Sequence, residues 1–295
     1  MLDFRKPVVY DKQWVDECLK YVNSFNCEYT FGNIFVWSTA YRTKICRYKD
    51  FLMCRWGKDS EFMYSLPIGK GDFKDAVNQI ILDAESNGVT PVIYGVTSNY
   101  KKLLDEHFGG KFNYKFDEGY NDYIYSTEKM ANLSGKKYHS KRNHITNFKK
   151  NNPDWTFEIL NENNIPECID LHTKWINNHA DDEDYSFEFE AVLTAFEHYD
   201  KLGFTGGLIR VQGEVIAFTF GERHSDALFV THFEKAPADV QGAYTIINQE
   251  FTKNCLMDFE FVNREEDLGL EGLRKAKQSY NPEIFLEKCV AVYVG

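Results

Sequence analysis

A run of basic residues stands out in a sequence that is acidic overall. Between residues 129 and 150 the chain carries seven Lys and Arg residues and no Asp or Glu, whereas its formal net charge is −11. At helical spacing Lys137, Lys141 and His144 share one face. Several basic side chains on one surface bind phosphate because their donors converge on a distributed negative charge; a solvated helix between domains is the alternative interpretation. The predicted anion site comprises Lys136, Lys137, Lys141 and Arg142.

A second group of charged residues follows a predicted strand and opens a predicted helix, at residues 263–277. Strand ends of α/β folds commonly expose functional groups. Here Glu265 and Asp267 are expected to hold an incoming ammonium group, and Arg274 and Lys277 are neighbours one helical turn apart. A salt-bridged surface is the alternative. The candidate binding residues in this segment are Arg264, Glu265, Asp267, Arg274 and Lys277.

A third candidate lies at the end of a predicted strand over residues 227–233 and just beyond it. His232 and Glu234 alternate with Phe233, so both point to one face of the strand. An imidazole or carboxylate in that position could take a proton from an attacking amine or hydroxyl. We therefore predict that His232 and Glu234 are catalytic. The alternative is that they are a partly exposed pair at the strand end without a catalytic role.

Glycine-containing loops precede two predicted helices but are weak phosphate loops. Coenzyme A enzymes of the acyltransferase type usually carry Arg or Gln, then two residues, Gly, any residue, and Gly or Ala. Residues 239–244 begin with Asp239 and end with Tyr244, and residues 66–71 keep both glycines but lack the leading Arg or Gln. A helix N-terminus still attracts anions, so coenzyme A stays a possible donor rather than a predicted cofactor.

Composition excludes several classes of protein. Hydrophobic residues make up 43% and charged residues 27%, which is typical of a globular chain and not of disorder or a coiled coil. No run approaches the ~20 apolar residues of a membrane helix, and the N-terminus lacks a signal-peptide core. The seven cysteines never occur as Cys-x-x-Cys, which argues against a disulfide framework or structural zinc. We expect a cytoplasmic protein without integral membrane association and without a metal.

The predicted elements repeat. Each half has the order helix, helix, three strands, helix, strand, helix, strand, at an offset of roughly 160–170 residues, the size of one domain. This is the order of the GCN5-related N-acyltransferase fold. The sequence therefore predicts an α/β (α+β) architecture of two tandem acyltransferase-like domains, at 1–128 and 153–295, joined by a basic helix at 129–152.

The same segments resemble a known family. Residues 135–144, 234–248 and 263–282 are similar to the phosphatidylglycerol lysyltransferase C-terminal domain family, and particularly to its uncharacterised bacterial members without a membrane module. The resemblance implies a tandem GCN5-type fold akin to Fem-type peptidoglycan aminoacyltransferases. Enzymes of these families transfer an aminoacyl group from charged tRNA to a lipid hydroxyl or a peptide amine.

Three functions follow as hypotheses. The first is an aminoacyl- or acyltransferase with its cleft between the halves, in which the basic patch holds an anionic donor such as the 3′ end of a tRNA. The second is a coenzyme A-dependent N-acyltransferase acting on a small amine. The third is a non-catalytic module that binds an anionic ligand or partner. In the first two, positioning and oxyanion stabilisation supply most of the rate.

Overall fold

The computed structural model describes residues 2–58, 60–177 and 183–295 and divides the chain into two compact units. Unit 1 comprises Met1–Asp122, Glu266–Glu271 and Phe285–Gly295, and unit 2 comprises Tyr123–Glu265 and Gly272–Ile284. Each unit therefore contains segments from both halves of the sequence. The predicted boundaries at 128 and 153 instead divide the chain in sequence order.

The helices in chain order are α1 (Lys12–Leu19), α2 (Phe31–Val36), α3 (Phe73–Ser86), α4 (Ser98–Phe108), α5 (Thr127–Asn132), α6 (His139–Asn151), α7 (Ile165–Asn177), α8 (Glu183–Glu197), α9 (Tyr199–Leu202), α10 (Ala243–Cys255) and α11 (Glu271–Gln278). The strands are β1 (Lys44–Tyr48), β2 (Phe51–Lys58), β3 (Glu61–Tyr64), β4 (Ile68–Gly69), β5 (Val92–Thr97), β6 (Phe112–Phe116), β7 (Asp122–Ser126), β8 (Thr156–Ile159), β9 (Thr205–Val211), β10 (Glu214–Arg223), β11 (Leu228–Lys235), β12 (Phe261–Asn263), β13 (Ile284–Leu286) and β14 (Lys288–Tyr293).

Unit 1 is built on a mixed sheet with the strand order β1-β2-β3-β5-β14-β6, and β4 pairs with β2. The apolar face of α3 packs on this sheet, as its spacing predicts: Ala76, Ile80 and Ala84 are all fully buried. Asp72 caps the start of the helix: its side chain accepts a hydrogen bond from the backbone N–H of Asp75. Local capping and a buried stripe together explain why this helix is readable from the sequence.

Unit 2 is built on a second mixed sheet with the order β13-β7-β12-β11-β10-β9-β8. Its core lies between this sheet and α5, α6 and α10, and includes fully buried Ile246, Phe148 and Val262. The strand order of both sheets is that of two acyltransferase-like domains in tandem, which confirms the predicted fold class. The predicted end of α7 at His179 and the acidic residues Asp181 and Asp182 lie outside the described residues.

The two sheets exchange a strand, which the sequence does not reveal. The pattern of apolar residues predicts one bent strand or hairpin over residues 112–125, but β6 belongs to the first sheet and β7 to the second. In return the last strand, β14, inserts between β5 and β6 of the first sheet. Alternation of apolar residues specifies which face of a strand is buried but not which strand is its partner.

Among the described residues, no helix is both long enough and apolar enough to cross a membrane.

Candidate functional site

The candidate site of unit 2 lies where two parallel strands separate. β11 and β12 pair from Leu228↔Phe261 to Val230↔Asn263, and the pairing ends there. Beyond this point β11 continues to His232 and Glu234, while the chain leaves β12 through Arg264 and Glu265. Parallel neighbours end at the same edge of a sheet, so the side chains after these ends come together without further strand hydrogen bonds.

Glu234 and Arg264 form the centre of the site. Arg264 Nη2 donates to Glu234 Oε1 at 2.8 Å, and the two side chains are only 14% and 12% exposed. Asn248 on α10 donates from Nδ2 to the other carboxylate oxygen at 3.1 Å. The Arg264 guanidinium also lies 5.1 Å from the centre of the Tyr280 ring. These contacts fix the positions of one carboxylate and one cation before any substrate arrives.

Lys141 on α6 brings a second cation to the same ring. Its Nζ lies 3.8 Å from the centre of the Tyr280 ring, and it has no ion pair or hydrogen bond with any described residue. Burial lowers the pKa of Lys141 to about 8, with repulsion from Arg264 adding to the effect and attraction to Glu234 opposing it. We call Lys141, Glu234, Arg264 and Tyr280 the basic cluster, because it holds two cations against one carboxylate.

His232 does not have the geometry of a proton acceptor. Its Nδ1 lies 2.8 Å from Glu265 Oε1 and its Nε2 lies 2.9 Å from Glu222 Oε1, and the ring is fully buried. Burial lowers the pKa of His232, but the two carboxylates outweigh it and raise the pKa to about 9. The ring is thus an imidazolium at neutral pH that donates from both nitrogens. We therefore assign His232 to positioning rather than to the predicted proton relay, and Glu265 is held by it.

The predicted basic patch is divided by the structure. Lys136 and Lys137 are exposed, and Lys137 lies over the Tyr138 ring at 5.1 Å. Arg142 instead donates from Nη1 to the carbonyl oxygens of Leu133 at 2.5 Å and Gly135 at 2.7 Å. It thereby fixes the turn before α6 and is committed to backbone. Of the four predicted patch residues, only Lys141 joins the basic cluster.

The residues predicted after β12 also have different positions. Lys277 is buried and donates from Nζ to the carbonyl oxygen of Arg264 at 2.5 Å, which positions the chain that carries the guanidinium. Asp267 is fully buried in unit 1 and accepts from the backbone N–H of Gly269 at 2.8 Å. Its carboxylate therefore stabilises a turn and is not exposed to a ligand, in contrast to the predicted contact with an ammonium group. Arg274 lies half-buried on α11.

The glycine loop before α10 is packed against protein. Gly242 has a φ of +88°, and a Cβ atom there would lie 2.7 Å from the carbonyl oxygen of His144 on α6. Glycine is required by both the backbone conformation and this close approach. With α6 packed so closely against this turn, and with Asp239 and Tyr244 departing from the usual pattern, the loop gives no support for a coenzyme A pyrophosphate site.

Besides Tyr280, two contributors to this region were not predicted. Asn248, besides binding Glu234, has a buried Oδ1 with no hydrogen-bond partner among the described residues. Glu222 is buried on β10 against His232. Its only signal in the sequence is an isolated acidic residue at the end of the apolar run 215–221, which by itself does not indicate a partner ten residues later.

Comparison with known proteins agrees with this architecture. The family model described as phosphatidylglycerol lysyltransferase, C-terminal, matches residues 19–292, nearly the whole chain. The chain belongs to this family. The match confirms the resemblance carried by residues 135–144, 234–248 and 263–282, and it places both units within one family domain.

Other members and relatives share the fold to different extents. A conserved protein of unknown function from Bacteroides thetaiotaomicron is 35% identical, with a TM-score of 0.94 over 99% of this chain and 100% of that one. L-PGS from Bacillus licheniformis is 14% identical, with a TM-score of 0.68 over 97% and 92% of the two chains. FemX is 9% identical, with a TM-score of 0.59 over 99% and 96%.

A curated relative, an uncharacterised protein of Mycoplasmoides gallisepticum, is 24% identical over 176 residues. That match covers 58% of this chain and 56% of the relative, so the chain spans little more than half of the relative's length.

Proposed function

We propose that the protein is an aminoacyltransferase that moves an aminoacyl group from a charged tRNA, or a related anionic donor, to an amine or hydroxyl acceptor. The observation that carries this proposal is the half-buried ammonium of Lys141, which lies beside Arg264 without a carboxylate of its own. A cation held in this way has its charge available for a ligand, unlike the paired cations of an ordinary surface. Family membership supports the same class of reaction.

In the proposed reaction the acceptor nitrogen or oxygen attacks the carbonyl carbon of the aminoacyl ester. A bond from the acceptor to that carbon forms, the electron pair of the carbonyl moves onto its oxygen, and the ester bond to the donor oxygen then breaks. Lys141 stabilises the negative charge that develops on the carbonyl oxygen or on the neighbouring donor phosphate. Its pKa of about 8 leaves it mostly protonated at neutral pH, as this role requires.

Glu234 takes the proton that the acceptor loses and returns it to the departing donor oxygen. Its carboxylate is held on one oxygen by Arg264 and on the other by Asn248, so its position is fixed while each oxygen keeps lone pairs for a further bond. In this assignment Glu234 keeps the predicted catalytic role, and His232 is a positioning residue. Proton transfer by a positioned side chain such as Glu234 contributes typically 10²–10⁴-fold to the rate.

The exposed lysines of the predicted patch complete the proposal. Lys136 and Lys137 lie on the turn that precedes α6, the helix that carries Lys141. They are positioned to meet phosphates of a longer donor, such as the 3′ end of a tRNA, and such contacts weaken as salt rises. The acceptor class is left to the experiment, which offers phosphatidylglycerol vesicles and a peptide amine separately.

The test measures transfer of a radiolabelled aminoacyl group from aminoacyl-tRNA to each acceptor. Lys141→Met is expected to lower the transfer rate by about 10²-fold, the usual cost of removing one oxyanion donor. Lys150→Met, a matched change at an exposed lysine of the same helix, should alter the rate by less than about threefold at moderate salt. Full activity of Lys141→Met, or transfer from acetyl-coenzyme A but not from aminoacyl-tRNA, would overturn the proposal.

A further inference from the structure

Unit 1 contains a second charged cluster, which the proposed function does not use. Lys288, at the start of β14, is 1% exposed, and its Nζ lies 2.8 Å from Asp122 Oδ1 and 3.7 Å from Glu28 Oε1. It also makes a short ion pair with Glu266. We call Glu28, Asp122, Glu266 and Lys288 the acidic cluster, because three carboxylates surround a single ammonium.

The side of the acidic cluster that reaches solvent is formed by two of its carboxylates. Asp122 is fully buried, whereas the side chains of Glu28 and Glu266 are 24% and 16% exposed. Burial raises the pKa of Glu266 to about 8, against attraction to Lys288 and with repulsion from Asp122 and Glu28. As the pH rises through about 8, Glu266 becomes charged, and the cluster then has more negative charge than its own lysine neutralises, at a carboxylate that reaches solvent.

Aromatic rings lie next to these carboxylates. Burial raises the pKa of Tyr94, and the negative charges of Glu28 and Glu266 add to the effect. Trp56 meets the Tyr94 ring edge-to-face at 5.8 Å, and the partly exposed Tyr120 does so at 5.5 Å. Carboxylates beside aromatic faces form the usual environment for an organic cation.

Two buried hydroxyl groups near the acidic cluster lack hydrogen-bond partners among the described residues. Thr97 is 2% exposed and is directly opposite Lys288 in the pairing of β5 with β14, so both side chains leave the sheet on the same face. Tyr29 is 4% exposed; burial raises the pKa of its hydroxyl, the charge of Glu28 adds to the effect and that of Lys288 opposes it. A buried hydroxyl without a partner is unfavourable because its lost hydration is not replaced, and a polar ligand would replace it.

The backbone around the acidic cluster is shaped to admit a carboxylate. Gly95 has a φ of +69°, and a Cβ atom there would lie 2.4 Å from Glu28 Oε2. Asn26 donates from Nδ2 to the same carboxylate oxygen at 3.3 Å and to the carbonyl oxygen of Gly95 at 3.1 Å. The carboxylate of Glu28 is therefore held in place by its contacts with Asn26 and with Gly95 on β5, unlike that of a flexible surface side chain.

We propose that the acidic cluster of unit 1 binds the primary ammonium group of a ligand, with Glu28, Glu266 and the hydroxyl of Thr97 as its three acceptors. The cluster already holds one cation of this type: the Lys288 ammonium is paired with Asp122 and Glu266 and lies 4.0 Å from Cys27 Sγ. Three acceptors match the three N–H donors of a primary ammonium.

The probe is n-butylamine, with 1-butanol as its neutral counterpart, and binding to the full chain is measured by ligand-observed NMR titration. A primary alkylamine has a pKa near that of lysine, about 10.4, and so remains charged at pH 6.5 and 8.5. Glu266, faced by Lys288 from β14, Asp122 from β7, Glu28 and Cys27 from the segment before α2, and Tyr94 from β5, loses its proton over that interval. We expect n-butylamine to bind about tenfold more tightly at pH 8.5 than at pH 6.5, and 1-butanol not to bind.

Variants identify the residues responsible. Glu266→Gln should weaken binding about tenfold at pH 8.5 and abolish its pH dependence, and Glu28→Gln should weaken it to a similar extent. Thr97→Val removes a hydroxyl that has no partner, so it should weaken binding several-fold while the protein unfolds at an unchanged or higher temperature. Glu85→Gln, at an exposed carboxylate of α3, is the matched control and should bind as the unmodified chain does.

Three results would overturn the proposal: no binding of n-butylamine at pH 8.5, equal binding of 1-butanol, or unchanged affinity and pH dependence in Glu266→Gln. Because the readout is binding at unit 1, it is independent of whether aminoacyl transfer is observed.

Discussion

Both units contain a cluster of buried or half-buried charges, but the surplus charge has opposite signs. In unit 2 the basic cluster lies where β11 and β12 separate and holds Lys141 and Arg264 against Glu234. In unit 1 the acidic cluster lies at the start of β14, opposite Thr97 at the end of β5, and holds three carboxylates against Lys288. Two units of one tandem fold are thus suited to an anion in one case and to a cation in the other, because side chains and not topology determine the chemistry.

The two clusters also differ in how deeply their central charge is buried. Lys288 is almost completely enclosed and bonds to carboxylates, whereas Arg264 and Glu234 keep some exposure. Removing one partner of a deeply buried ion pair destabilises the protein strongly, because the remaining charge is left without solvation. In a partly exposed pair, water solvates the remaining charge and the loss is smaller. The comparison predicts that unit 1 depends on its central cation for folding and that unit 2 depends on its cations for binding.

The largest expected effect comes from Lys288→Met. The change leaves Asp122 fully buried beside two other carboxylates without a cation, so it should destabilise the protein by about 3–5 kcal/mol. Urea unfolding at pH 7 measures the change. Lys115→Met, at an exposed position on β6, is the control and should stay within about 0.5 kcal/mol of the unmodified protein. A Lys288→Met protein as stable as the control would contradict the prediction that unit 1 depends on this cation for folding.

The next effect concerns His232 and the pH dependence of stability. The two carboxylates raise the pKa of His232 to about 9 in the folded protein, above the ordinary value of 6.5. The stabilisation is therefore fully present below pH 6.5 and is lost as pH rises through 9, and the shift corresponds to roughly 3 kcal/mol. The difference in unfolding free energy between the unmodified protein and His232→Gln should shrink by about that amount from pH 6 to pH 10.

The control for this measurement is His139→Gln, at an exposed residue of α6, which should follow the unmodified protein across the whole range. A constant difference between the unmodified protein and His232→Gln would mean that the ring is neutral when folded. In that case His232 would regain the proton-relay role that its position on β11 first suggested.

Much of the fold was accessible from the sequence because its signals are local. The buried stripe and N-cap of α3, the order of elements and the family segments all involve residues within one helix or one short motif. The exchange of β7 and β14 was not accessible, since apolar alternation is satisfied equally by either sheet. Strand partners are decided by long-range packing that a single sequence does not display.

The same distinction applies to the sites. Glu234, Arg264 and Lys141 were predicted because each lies in a conspicuous local pattern, although Arg142 in the same pattern turned out to bind backbone. The acidic cluster was missed because its members stretch from Glu28 to Lys288 and meet only after β14 has joined the first sheet. The one available signal was a lysine at the start of an otherwise apolar strand.

The smallest effect sharpens the contrast in charge directly. A group with a pKa of about 8 falls from mostly protonated to mostly neutral between pH 7 and pH 9, so Lys141 should lose its attraction for anions over this interval. Binding of inorganic sulfate, whose charge is constant there, should weaken by up to about tenfold, whereas in Lys141→Arg it should stay nearly constant because a guanidinium keeps its proton.

The control is Lys136→Arg, at an exposed lysine, which should retain the pH dependence of the unmodified protein. Anion binding at unit 2 would then fall over the interval in which ammonium binding at unit 1 is expected to rise. Sulfate binding that is independent of pH in both the unmodified protein and Lys141→Arg would show that Arg264 and not Lys141 supplies the positive charge that the ligand meets.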